Sequence, residues 1–160
     1  MLKKKHLILI LISILILISG LMFFKTKFNT KSNTKKHYVT ANNIISKVYT
    51  CKDGYNEEMK DIVSEEAFLK ANLYKYYDNP SFKKPINIDI KINELNQKKI
   101  DNKIFIYFEY DIFIYDGDHN EISSALKIPI VASIIQRKGK LYIEDIQVYE
   151  THNEVPKVYK

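Results

Sequence analysis

The segment from Asp116 to Asn120 has the residue types of a metal-binding loop. It offers two carboxylates, an imidazole and an amide within five residues, and oxygen ligands at alternate positions open a calcium loop of the EF-hand type. That loop also needs glycine at its sixth position and glutamate at its twelfth, where this chain has Glu121 and Lys127. The segment also lies between two predicted strands rather than two helices. We therefore predict a polar hairpin turn without a metal ion.

The histidines and the cysteine predict no metal site and no reactive group. No two of the four histidines share a local spacing that a metal site would need. They are His6, His37, His119 and His152. The single cysteine, Cys51, follows Ile44 and Val48 at helical spacing, so we expect it to pack in an apolar face. These residues predict no cofactor and no catalytic group.

Aromatic residues are the most suggestive feature of the sequence, which has 12 tyrosines and 8 phenylalanines. Several of them lie on the second face of a predicted strand whose first face is already apolar. A strand that is half-exposed to water needs only one apolar face, so the domain's own elements or another protein must cover the second. Core packing is the alternative for each ring. The candidate partner-binding face consists of Phe105, Tyr107, Phe113 and Tyr115.

The chain is predicted to consist of one hydrophobic segment followed by one folded domain. Residues 1–27 form a basic tip and a transmembrane anchor, in which Leu7 to Phe24 is an apolar run of 18 residues. As a helix this run is roughly 27 Å long, just enough to cross a hydrocarbon core. Residues 28–36 read as a polar linker, residues 37–150 as the soluble domain and residues 151–160 as a polar tail.

The anchor is predicted to stay uncleaved. Signal peptidase needs a small residue three positions before the cut, and cuts after Gly20 or Ser19 would place Ile18 or Leu17 there. Leu21 stands where lipidation needs cysteine. Lysines precede the segment as in a signal sequence, so we expect a single-pass signal-anchor protein of the cell membrane with its domain outside the cytoplasm. Five lysines after the segment leave the opposite topology open.

The net charge of +6 does not predict a nucleic-acid partner. Eight lysines and no acidic residue lie in the first 36 residues, which leaves 17 basic and 19 acidic residues for the domain. A nucleic-acid-binding domain usually carries its positive charge on the fold itself. We therefore assign the excess charge to the anchor.

Periodicity predicts an α+β domain in which helices precede strands. Three helices are expected: one capped by Thr40 and ending near Gly54, one starting at Asn56, and one starting at Ser64 and running to Tyr77.

Four mostly antiparallel strands should follow, at residues 86–92, 103–115, 121–136 and 141–149, with a polar turn from Asn96 to Asn102. Pro129 implies a sheet edge or a bulge in the third strand. In the fourth strand, Ile146 and Val148 rejoin the face of Ile143 only if Glu144 or Asp145 forms a bulge.

Two segments of this domain resemble the nuclear-transport-factor-2-like superfamily: Ile62 to Phe68, and Gly139 to Ile146. The resemblance implies a cone-like, curved sheet wrapped round a helical layer. Some members of that superfamily are isomerases or dehydratases that use an acid or histidine inside the cone. By that resemblance, Glu109 and Asp111 are candidate pocket acids, and solvent-exposed partners of neighbouring lysines are the alternative.

Because no catalytic constellation is present, we expect a non-enzymatic protein. The leading hypothesis is an extracytoplasmic module that binds a protein partner within a bacterial envelope assembly. Its layout looks like that of inner-membrane scaffold components of conjugation and type IV secretion machines. The alternatives are a small-ligand binder or enzyme that uses the cone, and an immunity protein that meets a toxin at the membrane. Homo-oligomerisation is also open.

Overall fold

A computed structural model describes residues 36–160. The predicted anchor and all but the last residue of the predicted linker lie outside this range. Within residues 36–160, no helix is both long enough and apolar enough to span a membrane. These residues form an α+β fold in which four helices precede one curved, open sheet.

Two of the four helices begin at a polar N-cap residue whose side chain bonds to the first turn. The helices are α1 (Asn42–Tyr49), α2 (Glu57–Ile62), α3 (Glu65–Ala71) and α4 (Tyr74–Asp78). The Asn56 side chain accepts a hydrogen bond from the Met59 amide, and the Ser64 hydroxyl accepts one from the Ala67 amide, as predicted. The predicted Thr40 cap is wrong, because the residue before α1 is Ala41 and no side chain caps that helix.

The third predicted helix is divided into α3 and α4. Asn72 adopts an extended conformation with ψ of 136°, and its side-chain oxygen accepts the amide of Tyr74. This local side-chain bond competes with the helical backbone bond, so the helix stops and restarts. The domain therefore has four short helices rather than three.

The strands form one antiparallel meander in the order β1-β2-β3-β4. Their bounds are β1 (Asn87–Ile100), β2 (Lys103–Tyr115), β3 (Glu121–Arg137) and β4 (Lys140–Val148). The bounds of β2 match the prediction. The polar turn predicted from Asn96 to Asn102 is wrong, since β1 continues past a bulge at Leu95 to Ile100. Gln97 keeps this part of the strand in place by burying its amide against the backbone of Tyr38 and Val39.

Both predicted irregularities of the sheet are confirmed. Ser133 pairs with Asp145 and Ile134 with Ile143, so Glu144 is the extra residue of a bulge in β4. This bulge lets Ile143 and Ile146 both be fully buried. Pro129 lies just after a bulge in β3 and just before Ile130, where pairing with β4 begins.

The helices pack on one face of the sheet, here called the helix face. Its side chains and those of α1, α2 and α3 form the larger apolar cluster, which includes the fully buried Ile106, Phe108, Ile130 and Ile134. Behind α2, Val63 forms a bridge with Ile143, and the Ser64 hydroxyl donates to the Glu144 carbonyl at 2.7 Å. The helical layer is thereby fixed to β4.

Residues 151–160, predicted as a polar tail, fold back against the opposite face of the sheet, here called the far face. Val155 is 1% exposed, and a 3-10 helix at Lys157–Tyr159 follows it. The Asn96 side chain donates to the carbonyls of Tyr159 and Lys160, both at 3.0 Å. Together with Tyr107 and Val131, Val155 forms a second, smaller apolar cluster.

Candidate interaction surface

The four predicted aromatic residues lie on the far face, because alternate residues of β2 point to opposite sides of the sheet. Glu109 and Asp111 stand between them and divide the row into two halves. We call Phe105 and Tyr107 the covered half, and Phe113 and Tyr115 the open half. The two halves have the same residue types on the same strand but different surroundings.

In the covered half, the rings pack against the C-terminal segment. The Phe105 ring stacks on Tyr159 with 4.9 Å between ring centroids. Tyr107 is 6% exposed and contacts Val131 and Val155. This half of the far face is therefore closed by the chain itself.

A polar chain of side chains joins the covered half to the acids. The Tyr107 hydroxyl bonds to Nδ1 of His152, and Nε2 of His152 lies 3.2 Å from a Glu109 oxygen. The Asn93 amide donates to the other Glu109 oxygen at 2.8 Å. Burial, with a smaller effect from the Glu109 charge, raises the pKa of Tyr107. The phenol therefore stays protonated at neutral pH and does not act as a base, and the tautomer of His152 decides which of the two side chains donates.

His152 was not predicted to belong to this site, because only histidines that lie close together in the sequence were considered as a group. Tyr107 and His152 are 45 residues apart and meet only because the C-terminal segment folds back. A useful signal was present in Val155 and Tyr159, two of the apolar residues in a mostly polar segment. Such residues need a surface to cover.

The two candidate acids lie on the far face, beside a shallow cleft of about 290 Å³. Asp111 accepts the amide of Lys127 at 2.9 Å, at the bulge where β3 has one residue more than β2. Lys91 also borders this cleft. The cleft is therefore lined by two acidic residues, Glu109 and Asp111, and by two lysines, Lys91 and Lys127, so its formal charges cancel. Within residues 36–160, no group of three or more histidine, cysteine or acidic side chains is arranged to hold a metal ion.

The open half has no comparable cover. Phe113 and Tyr115 are partly exposed, and neither belongs to either apolar cluster of the described residues. Phe113 borders an open cleft of about 640 Å³ that follows the outer edge of β1. The polar groups around it include Asp89, Lys91 and Asp111. An aromatic patch with a polar surround is typical of a protein-binding surface.

The segment from Asp116 to Asn120 is a hairpin turn in which the Asp116 carboxylate accepts hydrogen bonds from amides of the same turn. One Asp116 oxygen accepts the amides of Asp118 and Asn120, each at 2.9 Å. The backbone hydrogen bond from Asn120 is the largest effect lowering the pKa of Asp116. Asp118 pairs with Lys83 instead of pointing into the turn. A methyl group on Gly117 would lie 2.2 Å from the Lys84 carbonyl oxygen, so the glycine is a steric requirement.

The two ends of the sheet differ in charge. The β1–β2 and β3–β4 turns lie at the same end, because antiparallel neighbours alternate in direction. We call it the basic end. Its basic side chains are Lys98, Lys99, Lys103, Arg137, Lys138, Lys140, Lys157 and Lys160. The acids at this end are Asp101 in the β1–β2 turn and Glu144, which pairs with Lys103, whereas the turn at the opposite end carries Asp116, Asp118 and Glu121, of which Asp118 pairs with Lys83.

The N-terminal residues of the domain also enter at the basic end. The amides of Tyr38 and Val39 donate to the Gln97 side chain at 2.7 and 3.1 Å. His37 lies 3.2 Å from Glu94. The net charge of the whole domain did not reveal this difference between the two ends of the sheet, because acidic residues elsewhere offset the basic ones.

Comparison with known proteins identifies no relative. No family model matches the chain, and no curated protein matches its sequence significantly. The resemblance to the nuclear-transport-factor-2-like superfamily therefore stays a prediction.

Proposed function

We propose that this protein is a membrane-anchored interaction module. In this proposal, Leu7 to Phe24 holds a nuclear-transport-factor-2-like domain outside the cytoplasm, and the open half of the far face binds another protein. Its setting is a cell-envelope assembly of the conjugation or type IV secretion kind. The protein has no catalytic step of its own.

The observation that carries the proposal is the unequal cover of the far face. The C-terminal segment closes the Phe105 and Tyr107 half, and among residues 36–160 no segment packs in the same way on Phe113 and Tyr115. On the helix face, Ile106 and Phe108 are both fully buried in the apolar cluster. A partly exposed aromatic patch beside a packed core favours a protein partner over an enclosed small ligand.

The basic end supports the membrane setting. The amides of Tyr38 and Val39, near the start of the described residues, bond to Gln97 at this end. Six of its lysines form no ion pair within the described residues, which leaves their charges available to anionic lipid headgroups. They are Lys98, Lys99, Lys138, Lys140, Lys157 and Lys160. The open half of β2 lies toward the opposite end of the sheet.

Co-purification from crosslinked membranes tests the partner. We expect Phe113→Ala combined with Tyr115→Ala to remove the crosslinked partner while the protein stays membrane-bound. Truncation at a central interface position typically costs more than about 1–2 kcal/mol of binding. The matched control is Leu69→Ala combined with Val158→Ala, which removes two apolar side chains exposed by 69% and 53%. Equal partner recovery from both double variants would contradict the proposal.

Two measurements test the anchor independently of the partner. Mass spectrometry of the membrane fraction should recover peptides that precede Gly20, since no acceptable signal-peptidase site is present. With Cys51→Ala as background, Ser32→Cys should react with a membrane-impermeant thiol reagent in intact cells. Labelling only after lysis would reverse the topology.

A further inference from the structure

The outer edge of β1 is available for pairing over its first half. β1 is an edge strand, and its residues from Asn87 to Lys91 line the cleft of about 640 Å³ together with Ser46, Thr50, Lys52 and Tyr77 from the helical part of the chain. No element among residues 36–160 pairs with that edge, whereas the edge of β4 is partly closed by the Val63 bridge. Residues 87–93 contain no proline, and the bulge in β1 comes later, at Leu95. This edge lacks two of the devices with which proteins usually prevent edge-to-edge pairing.

The sequence of this edge is complementary to itself. Residues 87–93 read Asn-Ile-Asp-Ile-Lys-Ile-Asn, which is chemically symmetric about Ile90 except that Asp89 mirrors Lys91. When two copies pair antiparallel about Ile90, each Asp89 faces Lys91 of the second copy. Isoleucine then meets isoleucine on the helix face, and asparagine meets asparagine on the far face. Opposite charges directly across two strands stabilise the pair.

Compared with shifts of one or two residues, only this register places compatible side chains opposite each other on both faces of the sheet. A shift of two residues in one direction places Asp89 opposite Asp89, and in the other direction it places Lys91 opposite Lys91. A shift of one residue brings isoleucines opposite charged side chains on the wrong face. The charges are available, because Asp89 and Lys91 are exposed and neither forms an ion pair within residues 36–160. In β2 their cross-strand neighbours are Phe113 and Asp111, so Lys91 has one further carboxylate nearby.

We propose that a second copy of this chain binds along β1, related by a two-fold axis at Ile90. The two four-stranded sheets then form one continuous sheet of eight strands. Strand addition occupies the edge and leaves the far face uncovered, so the open halves of the two far faces come to lie side by side. The proposal does not rest on the membrane anchor or on an external partner.

Disulfide trapping of the full-length chain in membranes tests the register, with Cys51→Ala as background. Ile90→Cys should form a disulfide-linked dimer on mild oxidation, because facing Cβ atoms are about 4.5–5.5 Å apart. The matched control is Ile88→Cys, whose two copies would lie roughly 13 Å apart along the strand, beyond disulfide reach. A mixture of Ile88→Cys and Ile92→Cys chains should crosslink. Equal trapping of Ile88→Cys and Ile90→Cys alone, or none by Ile90→Cys, would overturn the proposal.

Charge exchange provides the second test, read from the dimer fraction of the full-length chain in detergent. Lys91→Asp alone, or Asp89→Lys alone, should weaken the dimer roughly ten-fold or more, because both symmetric pairs become like-charged. The double variant Asp89→Lys with Lys91→Asp should restore it, and the two single variants mixed should form a heterodimer. Lys75→Asp makes the same charge change on α4 and should have no effect. Failure of both rescues would overturn the proposal.

Discussion

The two halves of the far face are made from the same kinds of residue on one strand, yet they differ in burial. Tyr107 is almost fully buried, whereas Phe113 and Tyr115 are partly exposed. The difference lies in a segment some 45 residues later, which brings His152, Val155 and Tyr159 to one half only. The alternation of residues in β2 therefore shows that its second face must be covered. It does not show which part of that face is covered by another segment of the same chain.

The largest expected difference is between Tyr107→Ala and Phe113→Ala. Removing the buried ring should lower the free energy of unfolding by about 3 kcal/mol, whereas removing the partly exposed ring should cost about 1 kcal/mol or less. Urea denaturation of the fragment 36–160 measures both. We expect this fragment to fold by itself, because both apolar clusters close within it. Equal losses for the two variants would remove the distinction between the halves.

A second comparison stays within the C-terminal segment. Val155→Ala should lower the free energy of unfolding by roughly 2 kcal/mol, since two buried methyl groups are lost and a cavity remains. Val158 is 53% exposed, so Val158→Ala should have almost no effect. A Val155→Ala fragment as stable as the wild type would mean that the segment does not close the covered half.

The smallest effect concerns the hydrogen bond that fixes the segment. His152→Ala leaves the Tyr107 hydroxyl without its partner and should cost about 1–2 kcal/mol of stability. Tyr107→Phe removes the hydroxyl and should make the subsequent loss of His152 less costly. Additive losses in this double-mutant cycle would show that the two side chains do not interact.

The elements that alternation defines could be predicted from the sequence. Lys103 to Tyr115 alternates without interruption, and the fault in alternation between Ile143 and Ile146 predicted a bulge at Glu144 or Asp145, which the structure has at Glu144. These features are local, since each residue's face follows from its neighbours in sequence.

The features that depend on distant residues were missed. β1 extends to Ile100 because Gln97 bonds to a backbone segment nearly 60 residues earlier. The break at Asn72 is local but was also missed, because helical periodicity does not show that the Asn72 side chain bonds to Tyr74 and competes with the helix. Likewise, Glu109 and Asp111 lie on one face of β2, as alternation predicts, but the contact of Glu109 with His152 through a folded-back segment has no signature in local spacing.

Site-specific photocrosslinking in membranes tests the central claim most directly, because one strand supplies both the test position and its control. A benzophenone side chain in place of Phe105 should crosslink to the chain's own C-terminal segment, around Tyr159. The same group in place of Phe113 should crosslink to another polypeptide chain. Mass spectrometry of the adducts distinguishes the two results. If the Phe113 position crosslinks only within its own chain, or if both positions capture the same external protein, the far face is not divided as described.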